Sequence, residues 1–168
     1  IVRSILDRTL FVLCRAIVVA APASLVIWIL ANVNINELSL LEYIANFLNP
    51  FANLMGLDGY ILTAFILGIP ANEIVLPILL MCYLKTNLMV DLEDSMTISE
   101  ILKANGWTFL TAINVMLITI MHFPCATTLL TIKNETKSLK WTAIAFLIPT
   151  ICGIVVCMVT TGIYNVFN

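Results

Sequence analysis

Apolar positions gather in four long windows along this chain, separated by short polar stretches. A helix needs about 20 mostly apolar residues to cross the hydrocarbon core of a bilayer. Residues 9–33, 59–84, 107–132 and 141–167 each reach that length, so the pattern predicts four spans. The first holds Arg15 near its start, within snorkelling reach of the interface. The second carries one charge, Glu73, at mid-depth; the third carries only His122 as an ionisable base, and the fourth is uncharged. Trp28, Trp107, Trp141 and Tyr164 fall near window ends, where interfacial aromatics belong.

Between the first two windows the period changes. Over residues 39–49, Leu41, Ile44, Ala45 and Leu48 recur at helical spacing, with Glu42, Asn46 and Asn49 on the opposite arc. Ser39-x-x-Glu42 is a capping box, and Asn49-Pro50 is a stop signal. The expectation is a short amphipathic helix at the membrane interface. A second capping box, Thr97-x-x-Glu100, predicts a short helix closing at Asn105-Gly106. The stretch around Asp91, Glu93 and Asp94 reads as a hydrated loop.

Composition agrees. Of 168 residues, 61% are hydrophobic and 11% charged, with a mean hydropathy of +1.06. Soluble domains run at about 45–50% apolar and about 25% charged. A soluble enzyme, a secreted scaffold, a disordered tail and a nucleic-acid binder are all excluded. A net charge of −2 leaves no basic footprint for nucleic acid. The first apolar run is too long for a signal peptide and lacks a small-residue cleavage site. The five cysteines (Cys14, Cys82, Cys125, Cys152 and Cys157) form no CxxC pair and sit in apolar segments, against a disulfide framework or structural zinc. The fold class is therefore all-α, a polytopic transmembrane protein. Beginning at Ile1, it reads as a piece of a longer one.

Charge bias complicates the four-pass count. Cytoplasmic loops carry the excess of Lys and Arg. One additional crossing or re-entrant hairpin before Lys85 puts Arg3, Arg8, Arg15, Lys133, Lys137 and Lys140 on one side, against Lys85 and Lys103 on the other. Four plain crossings balance the two sides more evenly. Residues 39–55 and 68–77 are where the extra element would lie, so broken or re-entrant helices are expected.

Helix breakers mark the candidate chemistry. In the second window Gly68-Ile69-Pro70-Ala71-Asn72-Glu73 is followed by Pro77; each proline removes a donor and crowds the carbonyl four residues back. Broken backbone at membrane depth is tolerated only where it is buried in protein or lines a cavity, and transporters build ion sites from it. A carboxylate at mid-bilayer costs roughly 2.5–3.5 kcal/mol, which marks Glu73 as a cation ligand or proton-relay group, or as a cap on the second half-helix. The third window is broken at 122–125, His122-Phe123-Pro124-Cys125. On an ideal helix His122 and Cys125 lie about 60° apart, with Met121, Thr128 and Asn114 on the same arc. Imidazole, thiolate, thioether and carboxylate suit a borderline divalent metal such as Fe, Co, Ni or Zn. The metal candidates are Glu73, His122 and Cys125, with Asn72, Met121 and Thr128 in support and Gly68, Pro70, Pro77 and Pro124 as the breaks. There is no phosphate-binding loop, no H-E-x-x-H pair and no nucleophile elbow, so no catalytic centre is expected.

At these residues the chain resembles the C-terminal membrane half of the FeoB family of ferrous iron transporters. The resemblance rests on an ordered series: Asp7-Arg8-Thr9, Ala20-Ala21-Pro22-Ala23, Ile27-Trp28-Ile29-Leu30-Ala31-Asn32 and Gly56-Leu57-Asp58-Gly59. It continues through Gly68-Ile69-Pro70-Ala71-Asn72-Glu73-Ile74-Val75, Asn105-Gly106-Trp107-Thr108, His122-Phe123-Pro124-Cys125, Leu130-Thr131-Ile132-Lys133 and Lys140-Trp141-Thr142. Phe123 stands where the family often has Trp, Ala126 where Ser is common and Ile69 where Phe is frequent. The resemblance implies Fe²⁺ uptake across a bacterial cytoplasmic (inner) membrane, with Fe²⁺ as transported substrate and this segment as the second of two gate regions. It implies as partners the bilayer, an N-terminal GTP-binding domain and first gate region absent from this chain, small cytosolic accessory proteins and further copies in a homo-oligomer. This segment is expected to bind no nucleotide and to be no enzyme. The alternatives are a nucleoside-type or other small-solute permease of shared gate architecture, or a non-catalytic structural subunit.

Overall fold

The computed structural model describes residues 2–35, 38–86 and 95–167. Within them the chain is helical apart from one antiparallel pair of two-residue strands. Helix α1 (Val2–Asn32) contains Pro22 and buries Ile27 and Ala31, one turn apart, while Leu25, Val26, Trp28 and Ile29 are exposed. A helix that is apolar all round yet bare of protein belongs in lipid. Strands β1 (Asn34–Ile35) and β2 (Leu38–Ser39) then reverse the chain, pairing Asn34 with Ser39 and Ile35 with Leu38.

Helix α2 (Leu40–Leu54) starts at the expected capping box. Glu42 N donates to Ser39 Oγ at 3.2 Å and Ser39 N donates to Glu42 Oε2 at 3.1 Å. The expected stop at Asn49-Pro50 is not where it ends. Pro50 lies inside the helix, which runs on to Leu54. Beyond the proline, Ala52 and Met55 are fully buried, and that packing offsets the one hydrogen bond the ring removes. Nor is α2 a plain interfacial helix over 39–49: Tyr43 and Phe47 on its outer side are exposed apolar rings. It forms with α3 (Gly59–Leu67) a pair bent by 109°, which together has the length and apolarity of a broken span or re-entrant loop.

The 59–84 window, expected as a broken crossing or as the place of a re-entrant element, folds back on itself. α3 ends at Leu67, and a 3-10 turn over Asn72–Ile74 leads into α4 (Val75–Leu84). Asp58, which caps α3 by accepting from Ile61 N at 2.7 Å, also accepts from the Tyr83 hydroxyl at the far end of α4. A continuous helix would hold positions 58 and 83 about 37 Å apart. Tyr60 and Tyr83 also meet edge to face, 5.9 Å between centroids. The window is a helical hairpin whose tip is Gly68–Ile74, because the ring of Pro70 leaves α3 no way to continue and sets a turn there. Ala71, not Pro70, precedes the second helical segment. Pro77 breaks nothing: it is the third residue of α4, where the N–H it lacks would have no partner within the helix.

Helix α5 (Ser95–Ala104) begins two residues before the expected cap, so Thr97 lies inside it. Asp91, Glu93 and Asp94 lie outside the described residues. The third window forms α6 (Phe109–Met121) and α7 (Ala126–Thr136) with a break at His122–Cys125, as the breakers predict, and the fourth forms α8 (Leu139–Phe167). Val12–Asn32, Phe109–Thr136 and Leu139–Phe167 are long and apolar enough to cross a membrane, yet only 6%, 11% and 11% of their most apolar windows is buried. The chain is a multi-pass membrane protein, and its protein core centres where α2 meets the hairpin through Ala52, Met55, Ile61, Ala64 and Ile78, joined by Ile27 and Ala31 of α1, Ile118 of α6 and Cys157 of α8.

α8 packs on α6 through Gly153, Cys157 and Thr161, a stripe of small residues one turn apart. A polar knot fastens this pair to the α2–α3 corner. Asn114 Nδ2 donates to Met55 O at 2.7 Å and to Thr161 Oγ1 at 2.9 Å, all within a buried site. Gly56 sits against both side chains with φ +65, a conformation that glycine adopts without strain.

Candidate functional site

The hairpin tip and the α6–α7 break meet. Pro124 and the extended backbone of His122 (ψ 171) prevent α6 from continuing, and α7 restarts behind Cys125 as its N-cap. The restart leaves the Ala126 N–H without an intrahelical acceptor. It donates instead to Ile69 O at 3.0 Å, a carbonyl in the turn that Pro70 creates. Each break thus satisfies an orphan of the other, the condition under which broken backbone survives at membrane depth.

Around this joint the candidate ligands take distinct positions. The His122 ring is fixed by Nδ1, which donates to Thr119 O at 2.8 Å. A carbonyl only accepts, so Nδ1 carries the proton and Nε2 keeps its lone pair. Nε2 is buried without a hydrogen-bond partner. His122 lies among Phe65 and Phe123, centroids 5.8 and 5.2 Å away, in the wall of an apolar cavity of about 260 Å³ shared with Ile69, Ile118 and Phe146. A basic nitrogen oriented by its partner ring N–H and left unpaired is free to accept a hydrogen bond or a metal.

Cys125 Sγ is half-buried, 3.0 Å from Thr127 Oγ1 and 3.2 Å from Thr128 Oγ1. Thr127 was not a sequence candidate; its signal is its place two residues beyond a helix cap, where a hydroxyl turns back onto the cap residue. Glu73 and Asn72 are exposed in the 3-10 turn at the hairpin tip, and Glu73 makes no side-chain cap there. Glu73 stands in the first turn of this segment, where a carboxylate meets the positive end of a helix. Met121 ends α6, and its backbone carbonyl region packs against Gly153. The ideal-helix arc linking His122, Cys125, Met121, Thr128 and Asn114 does not form, because the backbone leaves the helix at His122. Asn114 belongs to the packing knot instead.

Among the described residues no three His, Cys, Asp or Glu side chains stand together as a finished metal shell. The chain by itself is accordingly expected to bind Fe²⁺ weakly. Titrating anaerobic Fe²⁺ into the detergent-solubilised chain checks this; tight, stoichiometric, Fe²⁺-selective binding would contradict it.

A family model described as Gate, nucleoside recognition, matches residues 13–139. The curated Fe(2+) transporter FeoB of Staphylococcus aureus strain MSSA476 is 28% identical over 152 residues, covering 86% of this chain and 21% of that protein. The FeoB of strain COL is 27% identical over 152 residues with the same coverage. The chain spans about a fifth of the length of these relatives. No solved structure matches it.

Proposed function

The chain belongs to the Gate (nucleoside recognition) family, and from that premise we propose that it is the membrane-embedded gate segment of a ferrous iron permease of the FeoB type. The observation that carries this reading is the joint between the two breaks, Ala126 N–H on Ile69 O at 3.0 Å. It joins the turn that carries Glu73 to the break that carries His122 and Cys125, which supports reading these three as the donors of one path. Nitrogen, sulfur and oxygen donors together favour a borderline divalent cation over Na⁺, K⁺ or Mg²⁺. Fe²⁺ is the transported substrate, and the gate performs no covalent chemistry. Asn72, Met121 and Thr128 flank the same path, and Gly68, Pro70 and Pro124 create the carbonyls that line it. The missing ligands come from outside this chain: from another gate region of the same transporter, or from further copies. A linked GTP-binding domain and small cytosolic proteins then act on the gate from the cytoplasm.

The proposed topology is three crossings (α1, α6–α7 and α8) with the α3–α4 hairpin re-entering from the side opposite the N-terminus of a bacterial inner membrane. The hairpin geometry supports it: both arms start and end beside Trp107, whose Nε1 donates to Tyr83 Oη at 2.9 Å. So does the charge bias, which then has its excess of Lys and Arg on the cytoplasmic side. Single cysteines at Ser138 and Lys103, in a background without native cysteines, are expected to label from the cytoplasmic and external sides respectively. Labelling from the exchanged sides, Ser138 external and Lys103 cytoplasmic, as four plain crossings require, would overturn this topology.

The function itself is tested by metal uptake into cells carrying the full-length transporter, comparing Fe²⁺, Mn²⁺, Co²⁺ and Zn²⁺. Fe²⁺ is expected to be preferred. Metal-independent uptake of a nucleoside would sink the iron reading and favour the small-solute permease.

A further inference from the structure

The apolar cavity of about 260 Å³ beside the joint is walled by side chains of α2, α3, α6 and α8 and of the two breaks. Among its lining side chains only His122 and Thr150 are polar. What both have left to offer is a lone pair. The Thr150 hydroxyl spends its hydrogen on Phe146 O at 2.6 Å. The His122 Nδ1 proton goes to Thr119 O, and Nε2 is buried with no partner. We propose that this cavity binds a small phenol dissolved in the bilayer, with its ring among the phenylalanines and its hydroxyl donating to His122 Nε2.

Each part of that ligand answers to something in the walls. The hydroxyl answers to a buried orphan acceptor where no lining side chain has a hydrogen to give it. The ring answers to Phe51, Phe65, Phe123 and Phe146, of which Phe123 stacks on Phe146 with centroids 5.0 Å apart. Such faces and edges gain more from another ring than from an alkyl chain. Size agrees as well. An apolar cavity of about 150 Å³ holds benzene, so two fused rings suit this one. Phe51 and Ile66 stand both in the wall and on the exposed apolar surface, 40% and 42% accessible, so the way in leads from hydrocarbon. Other occupants fit less well. A water molecule wants about two to four polar partners and would face carbon on most sides here. A lipid tail would fill the space and leave Nε2 orphaned. A cation would find neither carboxylate nor thiol in these walls.

The occupant takes the lone pair that the proposed gate would offer to Fe²⁺, so it acts as an inhibitor of the permease. Only this consequence rests on the iron reading; the binding stands or falls separately. The test is equilibrium binding of labelled 1-naphthol to the chain in nanodiscs, with empty nanodiscs subtracted. Saturable, stoichiometric binding is expected. 1-Methoxynaphthalene has the same rings and no donor, and is expected to displace the label about fivefold less well at matched membrane concentration. His122→Phe keeps a ring and removes the acceptor, and is expected to bring the two compounds to equal affinity. Ile154→Trp fills the cavity from α8 and is expected to abolish binding of both. If either variant misfolds, the comparison in the parent chain and the other variant still decide. Absence of saturable binding would overturn the proposal. So would equal displacement by the two compounds in the parent, which would make the cavity a seat for lipid tails, and so would an unchanged preference in His122→Phe. Saturable binding that leaves Fe²⁺ uptake by the full-length transporter unaffected would instead overturn the ligand role of His122 and leave this site standing.

Discussion

Cys125→Ser and His122→Ala, placed in a full-length transporter that carries this segment, are each expected to lower Fe²⁺ uptake by about 10- to 100-fold at equal folded protein. GTP hydrolysis is expected to stay near the parent rate. The reason lies in the joint. His122 Nε2 is buried and unpaired while Nδ1 is tied to Thr119 O, so alanine removes a preoriented donor at the cost of one local hydrogen bond, three residues away in the chain. Serine keeps the volume at Cys125 and its hydrogen bonding to Thr127 and Thr128, yet substitutes a hard, weak ligand for a soft one. Glu73→Gln is expected to act in the same direction. Combining any two should add little to the first, because one lost ligand already disables the site the others serve. A pure packing role predicts the opposite division: reduced membrane yield with normal uptake per folded molecule. Uptake that stays normal in both Cys125→Ser and His122→Ala would remove the shared site.

Gly59→Ala is expected to abolish folding of the hairpin core. The added Cβ would overlap the Ala45 carbonyl oxygen and crowd the α2 backbone as far as Asn49 N, so no rotamer relieves the clash. The same approach carries the Gly59 N–H to Asn49 Oδ1 at 3.1 Å and lets Ile61 and Ala64 bury against α2. Separating the two helices exposes that interface, and the loss is expected to exceed about 3 kcal/mol, comparable with the larger core substitutions. Gly162→Ala, on α8 with nothing within 4 Å of its added carbon, serves as the control and is expected to be neutral. Yield of monodisperse protein in mild detergent and thermal unfolding read both variants. A Gly59→Ala protein that unfolds at the parent temperature would show that α2 and α3 do not pack this closely.

The membrane class and the positions of both breaks were legible from local chemistry. A bilayer leaves no alternative to helix for a long apolar run, and proline removes a donor whatever its surroundings. The Ser39–Glu42 capping box was legible for the same reason, since its partners are three residues apart. So were Glu73, His122 and Cys125 as candidates, because such groups are costly in a span. Their arrangement was not. Whether a break is a kink in one crossing or the tip of a hairpin depends on where its two arms find partners. Here the Tyr83 hydroxyl on Asp58 and the packing of Gly59 on α2 decide for the hairpin. Pro50 reads locally as a stop and sits inside α2 because Ala52 and Met55 are buried beyond it. Asn114 projects onto the same helical arc as His122, yet distant residues, Met55 and Thr161, draw it into the packing knot. Sequence by itself determined the solvent, the helices and the chemical repertoire, all set by interactions within a few residues. Tertiary structure alone decided which orphaned backbone groups satisfy one another, as Ala126 N–H and Ile69 O do, because that bond joins residues far apart in the chain and exists only once both helices are broken.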